Sequence, residues 1–364
     1  MGVAAVILAA GYSSRMGFFK PIAALNGVSA LERILRSMSE SGVQDVLVVT
    51  GFRGDEVALL AQRSGARAVF NPRFAEGMFT SVQAGVAALP PSVGAFFLLP
   101  VDIPTVRAST MRMMLQHASS GGVLHPVFRG VRGHPPLIGA SLVPQILNFS
   151  GSGGLRAFFD AWKAWTLEIR VADEGVLMDM DTPEDYDRLC RRSRSLRVPS
   201  KQERLALFDI AGTPRRVRRH CEATASVCLA IGIALKQRGI RVDLPLLHGA
   251  ALLHDICKHL PDHVRAGEAF LGFHGFPVLA GIVACHRDLP SSPRNEAAIL
   301  HLADKIVSDT SIVSLDDRKK SMRSRYGTDK DAWSVVRERY ADARRTIRRI
   351  ERSTGRSLED LLHF

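Results

Sequence analysis

The sequence predicts two structural units, an α/β unit built on a mostly parallel sheet and then an all-α unit. The first half alternates short apolar runs with helical patterns, which is typical of a sheet with helices on both faces. In the second half the strand patterns stop, and apolar residues recur at helical spacing from residue 214 onward. We therefore expect a first unit at residues 1–192, a basic linker at 193–204 and a second unit at 205–364.

The elements of the first half follow from the spacing of its apolar residues. The run at residues 3–8 predicts a buried first strand, and it leads directly into a loop rich in glycine and serine. Further strands are predicted at residues 46–50, 95–99 and 122–127, and helices near residues 30–41, 55–64, 80–89 and 109–118. Ligands of such sheets bind beyond the carboxyl ends of the strands, so we expect a site at the loop of residues 9–20.

Composition narrows the class of protein. The chain has 364 residues, 46% hydrophobic and 23% charged, which is typical of a soluble two-domain protein. Its net charge of +12 favours anionic partners such as nucleotides or phosphorylated cofactors. No apolar run is long enough to span a membrane, and the five cysteines form no C-x-x-C pair. We expect reduced thiols, a cytoplasmic location and no membrane partner.

The loop after the first strand has the composition of a phosphate-binding site. Gly11 and Gly17 allow backbone N–H groups to approach an anion closely, and Arg15 and Lys20 supply positive charge. The spacing does not fit the P-loop pattern G-x-x-x-x-G-K-[ST], because the lysine lies three residues after Gly17 and a proline follows it. It does not fit the dinucleotide pattern G-x-G-x-x-G either, so the loop predicts another kind of nucleotide site.

Two acidic segments complete the chemistry of the first half. Asp102, in L-L-P-V-D-I-P, ends an apolar strand near the loop, where a carboxylate is suited to hold Mg²⁺. The alternative is that Asp102 only stabilises a turn or caps a helix. In D-M-D-T-P-E-D, Thr182 has the features of a helix N-cap, which leaves Asp179 and Asp181 without a structural explanation.

The loop pattern L-A-A-G-x-S-x-R-M-G-x-x-K, taken with P-V-D-I-P and D-M-D-T-P-E-D, resembles the signature of the molybdenum cofactor nucleotidyltransferases. The Ala-Ala-Gly form resembles the cytidylyl branch, and the segments E-G-M-F-T-S and R-G-H-P also match. The resemblance covers nearly all of residues 3–190. It implies a Rossmann-like nucleotidyltransferase domain that moves CMP from CTP to molybdopterin and releases pyrophosphate. A molybdoenzyme that receives the cofactor is then a further expected partner.

The resemblance also implies roles for individual residues. Mg²⁺ is expected at Asp102 and Asp181, with Asp179 as the reserve, and His134 is expected on the acceptor side. Arg15 and Lys20 are expected to neutralise the phosphates. The implied nucleotide-binding set is Leu8, Ala9, Ala10, Gly11, Arg15, Lys20, Ser81 and Asp102.

The second half carries a pattern of metal-ligating residue types. His220, the pair His254-Asp255 and Asp304 occur in the order H…HD…D, and the pair lies in A-x-L-L-H-D-x-x-K. Each falls on the apolar stripe of a predicted helix, and a buried imidazole or carboxylate is costly unless it is paired or bound to metal. The alternative is a set of buried histidines satisfied by backbone groups. The order resembles the HD superfamily of metal-dependent phosphohydrolases.

That resemblance implies a site with two metal ions. His274 and His286 lie between the HD pair and Asp304 and are expected to bind the second ion. Imidazole with carboxylate suits Fe, Mn, Ni or Zn. Asp255 is expected to bind metal and orient the attacking water, and Lys258 to bind phosphate. The substrate of this unit is left open.

Two other functions are compatible with these patterns. The first unit could serve another phosphorylated small molecule, beside a regulatory HD domain that does not turn over substrate. The basic stretch at residues 318–355, with a helical apolar stripe from Trp333 to Ile350, could face nucleic acid. A solvated basic face is much more common, so we expect no nucleic-acid partner.

Overall fold

The computed structural model describes residues 2–14, 16–119, 121–150 and 153–362. The predicted nucleotide ligand Arg15 therefore lies outside the described residues. The chain divides into two compact units, Met1–Leu196 and Arg197–Phe364. Within the described residues, no helix is long and apolar enough to cross a membrane.

The first unit is built around one mixed sheet. Its strands are β1 (Gly2–Ala9), β4 (Asp45–Thr50), β5 (Arg67–Phe70), β6 (Val93–Pro100), β7 (Val123–Phe128), β8 (Val131–Arg132), β9 (Leu137–Gly139) and β10 (Thr166–Arg170), and β2 (Ala24–Leu25) and β3 (Val28–Ser29) form a separate hairpin. In space the strands of the sheet follow the order β10-β7-β9-β6-β1-β4-β5, with β8 paired to β7. β1 lies between β4 and β6 and is parallel to both, whereas β9 is antiparallel to β6 and β7.

Helices cover this sheet. They are α1 (Ala30–Ser41), α2 (Gly54–Arg63), α3 (Met78–Ala87), α4 (Ala108–Leu115), α5 (Val143–Asn148), α6 (Gly154–Ala161) and α7 (Pro183–Arg194). α1 begins with a reciprocal capping box between Ser29 and Glu32, as expected for a Ser-x-x-Glu start. The predicted strands and helices of the first half are confirmed, each to within a few residues.

The central strand is buried on both faces because it is a continuous apolar run. Ala4, Ala5, Val6 and Ile7 are fully buried, as in the central strands of parallel sheets. α3 packs closely on this strand at Gly85, where an added Cβ would lie 2.4 Å from Cγ1 of Val6. Only glycine fits there, so this contact sets how closely α3 packs on the middle of β1.

The second unit is almost entirely helical. Its helices are α8 (Lys201–Ala211), α9 (Arg215–Gln237), α10 (Leu244–Leu253), α11 (His263–Phe273), α12 (Pro277–Ala284), α13 (Asn295–Ile306), α14 (Leu315–Tyr326), α15 (Lys330–Thr354) and α16 (Leu358–Leu362). The one departure from the all-α prediction in the described residues is a short hairpin of two-residue strands, β11 (Val307–Ser308) with β12 (Ser311–Ile312). The predicted stripe of α15 buries Val336, Tyr340, Ala343 and Ile350.

The segment predicted as a linker is helical at both ends. α7 continues to Arg194, and α8 begins at Lys201 with a capping box between Ser200 and Glu203. The extended part is therefore shorter than the predicted 193–204. The sequence does not predict these helical ends, because arginines and serines are compatible with an exposed helix end as well as with a linker.

Candidate active sites

A cleft lies beyond the carboxyl ends of β1 and β6. It has a volume of about 490 Å³, and we call it the N-terminal cleft. Its lining consists of Leu8–Ser14, Lys20, Pro21, Phe74, Ala75, Gly77, Met78, Ser81, Pro100–Asp102 and Asp181. Leu8, Ala9, Ala10, Gly11, Lys20, Ser81 and Asp102, all predicted from the sequence to bind nucleotide, therefore lie together here.

One lysine joins two carboxylates at the floor of the N-terminal cleft. Lys20 Nζ lies 3.2 Å from Oδ2 of Asp102 and 2.7 Å from Oδ1 of Asp181. Burial lowers the pKa of Lys20, but the two carboxylates outweigh that effect and the pKa is raised. The lysine therefore stays charged, and the two carboxylates converge on one point that a divalent cation could also occupy.

Backbone contacts hold these three groups in place. The amide of Val101 donates to the carbonyl of Leu8, which ties the segment carrying Asp102 to the end of β1. The amide of Lys20 donates to Oγ of Ser13, which folds the loop back on itself. Asp181 directly precedes Thr182, which caps α7 in a capping box with Asp185, as the sequence predicts. The cap thus fixes the direction in which Asp181 enters the cleft.

Asp179, the reserve candidate, is placed differently from Asp181. It is exposed and is outside the lining of the N-terminal cleft. Partial desolvation and the nearby charges of Asp181, Asp185 and Asp102 raise its pKa. Because Asp181 lines the cleft and contacts Lys20 whereas Asp179 lies outside the lining, the geometry favours Asp181.

Ser81 is held by a residue that the sequence did not indicate. Asn71 is almost fully buried, and its Nδ2 donates to Oγ of Ser81 at 3.0 Å and to Oγ1 of Thr80 at 2.9 Å. These bonds orient the start of α3 toward the N-terminal cleft. The only sequence signal was an Asn at the end of a strand, N-P-R, which also fits an ordinary turn.

His134 lies near the acidic end of the site but outside the cleft lining. Its amide donates to the carbonyl of Val176 at 2.9 Å, and its buried Nδ1 has no hydrogen-bond partner within the described residues. Burial lowers its pKa, although Asp102 acts in the opposite direction. His134 therefore carries no charge at neutral pH.

The second unit brings imidazoles and carboxylates together in what we call the His–Asp cluster. His220, His254, Asp255 and Asp304 each place a ligand atom within 4.8 Å of the others. A second group shares the carboxylate of Asp255 and adds His263 and His286. Nε2 of His254 lies 3.5 Å from Oδ1 of Asp304, and Nε2 of His286 lies 3.6 Å from Oδ1 of Asp255. Asp255 therefore lies between two candidate metal positions.

Three of these histidines are oriented by backbone carbonyls. Nδ1 of His220 lies 2.9 Å from the carbonyl oxygen of Asp309. Nδ1 of His254 lies 2.9 Å from the carbonyl oxygen of Ala251, and Nδ1 of His286 lies 2.7 Å from that of Val283. A carbonyl can only accept, so each Nδ1 carries a proton and donates it, and each Nε2 faces a carboxylate of the cluster. This is the arrangement usual for metal-ligating histidines.

The electrostatics of the His–Asp cluster fit a cation. His220, His254 and Lys305 hold the pKa of Asp304 well below its usual range, although burial opposes them. Burial lowers the pKa of His254, but Cys221, Asp255 and Asp304 outweigh it and raise the pKa well above its usual value. Nε2 of His254 is buried and makes no hydrogen bond within the described residues. A metal ion would satisfy both that atom and the two carboxylates.

The structure does not bring His274 to this cluster, and the histidine that lies beside Asp255 in its place is His263. His274 is buried against the rings of Phe270 and Phe273, and burial lowers its pKa to about 4. His263 begins α11 and His274 follows its end, so they are roughly 16 Å apart along the helix at 1.5 Å per residue. Only the start of α11 is near Asp255, with Nε2 of His263 at 3.5 Å from its Oδ1.

Lys258 is beside Asp255 rather than free in the site. Its Nζ lies 3.0 Å from Oδ2 and 3.2 Å from Oδ1 of that carboxylate, and 3.4 Å from Nε2 of His263. The side chain is 44% exposed, so its ammonium group is accessible from solvent.

Comparison with known proteins assigns a class to each unit. Residues 5–166 match the MobA-like NTP transferase domain, and residues 217–309 match the HD domain. The chain therefore carries a nucleotidyltransferase domain of the MobA-like class followed by an HD domain.

Individual relatives match at most half of the chain. The chain is 29% identical to the molybdenum cofactor cytidylyltransferase of Escherichia coli over 182 residues, which are 50% of this chain and 92% of that protein. It is 40% identical over 95 residues to the bifunctional IPC transferase and DIPP synthase of Rubrobacter xylanophilus, 24% of this chain and 22% of that protein.

Two solved structures resemble the first unit. A nucleotidyl transferase from Methanothermobacter thermautotroptrophicus is 25% identical with a TM-score of 0.48, over 52% of this chain and 97% of that one. Rv0371c from Mycobacterium tuberculosis is 22% identical with a TM-score of 0.47, and the match covers 52% of this chain and 98% of that one.

Proposed function

We propose that the first unit transfers CMP from CTP to a molybdopterin-type acceptor and releases pyrophosphate. The observation that carries this proposal is the convergence of Asp102, Asp181 and Lys20 at the floor of the N-terminal cleft. The choice of CTP and of acceptor rests on the Ala9-Ala10-Gly11 form of the loop and on the 29% identity to a molybdenum cofactor cytidylyltransferase. A molybdoenzyme that takes up the product would be a further partner.

The residues of the cleft supply positioning and charge neutralisation, which are the main requirements of this chemistry. A phosphate oxygen of the acceptor attacks the α-phosphorus of CTP, and the bond from that phosphorus to the bridging oxygen breaks. Asp102 and Asp181 would hold Mg²⁺, which neutralises charge on the phosphates. Lys20 keeps its proton and pairs with the departing pyrophosphate, with Arg15 proposed for the same role. Ser81 and the backbone of residues 8–11 hold the nucleotide.

A comparison of the four nucleoside triphosphates with the full chain tests the donor. CTP with Mg²⁺ should raise the unfolding temperature more than ATP, GTP or UTP, because a tightly bound ligand stabilises by a few kcal/mol at saturation. It should also be the best substrate for pyrophosphate release with molybdopterin. Equal or better protection and turnover with GTP would rule out the cytidylyl assignment.

We also propose that the second unit is a metal-dependent phosphohydrolase. His220, His254, Asp255 and Asp304 would hold one transition-metal ion, and Asp255, His263 and His286 a second, the candidates being Fe, Mn, Ni and Zn. Such ions supply an activated water at neutral pH. Asp255 borders both positions, and Lys258 would contact the substrate phosphate. The test is metal analysis of the purified chain together with release of phosphate from phosphoesters.

A second candidate keeps the transferase chemistry and changes the acceptor. The 40% identity over 95 residues to an IPC transferase favours another phosphorylated small molecule, with an HD domain that binds ligand without turnover. Under this alternative, molybdopterin would not stimulate pyrophosphate release from CTP, and a metal-loaded chain would release no phosphate from any ester.

A further inference from the structure

A second cavity of the helical unit borders the His–Asp cluster. Its volume is about 350 Å³, and we call it the α14–α15 cavity. It shares Asp304 with the cluster, so a molecule inside it would lie next to the candidate metal ions. Its lining consists of Arg287, Asp304, Lys305, Arg318, Met322, Tyr326, Ala332, Val335, Val336, Arg339 and Tyr340.

Most of this wall comes from two helices that follow the HD match. Arg318, Met322 and Tyr326 are four residues apart on one face of α14, and the α15 lining from Ala332 to Tyr340 is spaced by threes and fours. Both helices begin after residue 309, where the match to the HD domain ends. The cavity is thus a property of this chain's own C-terminal helices.

The charges of the cavity do not cancel. Arg339 is paired with Asp288 at 2.6 and 2.8 Å, and Lys305 lies 3.8 Å from Asp304. Arg318 donates to the neutral Oγ of Ser308 at 3.0 Å. Among the described residues, no carboxylate forms a close ion pair with Arg318 or Arg287, although Arg287 is near enough to Asp288 to act on its charge. Two arginines without a close ion pair are suited to a phosphate group with two negative charges.

Part of the cavity lining is apolar. Met322, Ala332 and Val335 line it together with the ring of the half-buried Tyr326. Val335 is 44% exposed and lines the cavity, so it presents apolar surface to a bound molecule. The volume of about 350 Å³ lies near the small end of ligand pockets, so it suits a small molecule rather than a polymer.

We propose that the α14–α15 cavity binds small phosphate esters that have a flat, apolar body, and thereby selects the substrate of the HD site. Arg287 and Arg318 would attract the phosphate group toward Asp304, and the body of the molecule would lie against Tyr326 and Val335. This inference rests on the proposed phosphohydrolase function for its purpose. The binding preference itself can be measured without hydrolysis.

The test uses the full chain and two ligands that no phosphohydrolase reaction consumes, phenylphosphonate and methylphosphonate. They carry the same anionic group and differ only in the substituent on phosphorus, which is a flat phenyl ring in one and a methyl group in the other. Calorimetric titration should give at least tenfold tighter binding of phenylphosphonate, equivalent to ~1.4 kcal/mol. Tyr326→Ala should reduce this preference to less than threefold because it removes the ring wall.

A matched pair of variants separates the cavity from general charge effects. Val335→Asp places a carboxylate in the cavity and should weaken phenylphosphonate at least tenfold. Ser334→Asp adds the same charge one position away, at an exposed residue outside the lining, and should change the affinity less than twofold.

The outcomes distinguish this inference from the proposed function. Equal affinity for the two phosphonates, or equal effects of the two Asp variants, would overturn the inference even if the chain hydrolyses esters. The expected preference in a metal-loaded chain that hydrolyses no ester would support the binding site and refute the hydrolase.

Discussion

Replacing Asp102 by Asn tests whether this carboxylate serves chemistry or folding. The change removes one negative charge 3.2 Å from Nζ of Lys20, which keeps Asp181 at 2.7 Å. A partly exposed ion pair contributes no more than about 1 kcal/mol, so the unfolding temperature should fall by only about 2–4 °C. Loss of a Mg²⁺ ligand acts on the transition state, so pyrophosphate release should fall more than about 100-fold, or ~2.7 kcal/mol of barrier.

The assay is pyrophosphate release from CTP with Mg²⁺ and molybdopterin, beside thermal unfolding of the same preparation. Asp187→Asn is the matched control, because it makes the same chemical change at an exposed position of α7. Its rate and stability should equal those of the wild type. An Asp102→Asn variant that keeps more than about a tenth of the rate would refute the metal-ligand role. A large loss of stability would assign Asp102 to folding instead.

Three further predictions concern the histidines. His125 is buried, and burial, Arg132 and His134 lower its pKa to about 4, so its contribution to stability is present above pH 6.5 and is lost as the pH falls toward 4. His125→Phe should therefore reduce the acid destabilisation between pH 6.5 and 5 by about 2 kcal/mol, measured by denaturant unfolding at both pH values. His263→Asn should lower the metal content by about one ion per chain in mass spectrometry, whereas His274→Asn should leave it unchanged; the reverse result would restore the sequence-based assignment. His254→Ala with Asp255→Ala should abolish phosphoester hydrolysis and leave CMP transfer intact, and a slower transfer by a folded, nucleotide-binding variant would show that the two activities are coupled.

The sequence predicted the first unit well because its signals are local. A continuous apolar run can only be a buried element, and Thr182 before a proline marks a helix start whatever the tertiary structure. The pairing of Lys20 with both Asp102 and Asp181 was not predictable in this way, since 82 and 161 residues separate the partners. The motifs identified the residues, and only the fold supplied their distances.

In the second unit, the spacing of residues along the sequence does not predict which histidines lie together. His263 and His274 both lie between the HD pair and Asp304, and no periodicity distinguishes them. The choice depends on which end of α11 approaches Asp255, which is a matter of helix packing. The α14–α15 cavity was missed for a similar reason. Two of its three arginines, Arg318 and Arg339, are part of a basic stretch that predicts a solvated face, and only the structure shows that they line a cavity.

The donor atoms of the two sites lead to a last prediction about how each holds its metal. The N-terminal cleft offers two carboxylates that already share the ammonium group of Lys20, so their net charge is −1 and their oxygens suit a hard ion. The His–Asp cluster sets two carboxylates, each with a lysine nearby, among imidazoles whose Nε2 atoms face them, so it offers the nitrogen donors that suit a transition metal. Mg²⁺ should therefore need the phosphates of CTP to complete its site, whereas transition metal should remain with the cluster through purification. After dialysis against metal-free buffer, the chain should keep its transition metal and show no measurable Mg²⁺ binding until CTP is added. Tight Mg²⁺ binding without nucleotide would contradict this charge argument, because it would require an acidic ligand beyond Asp102 and Asp181.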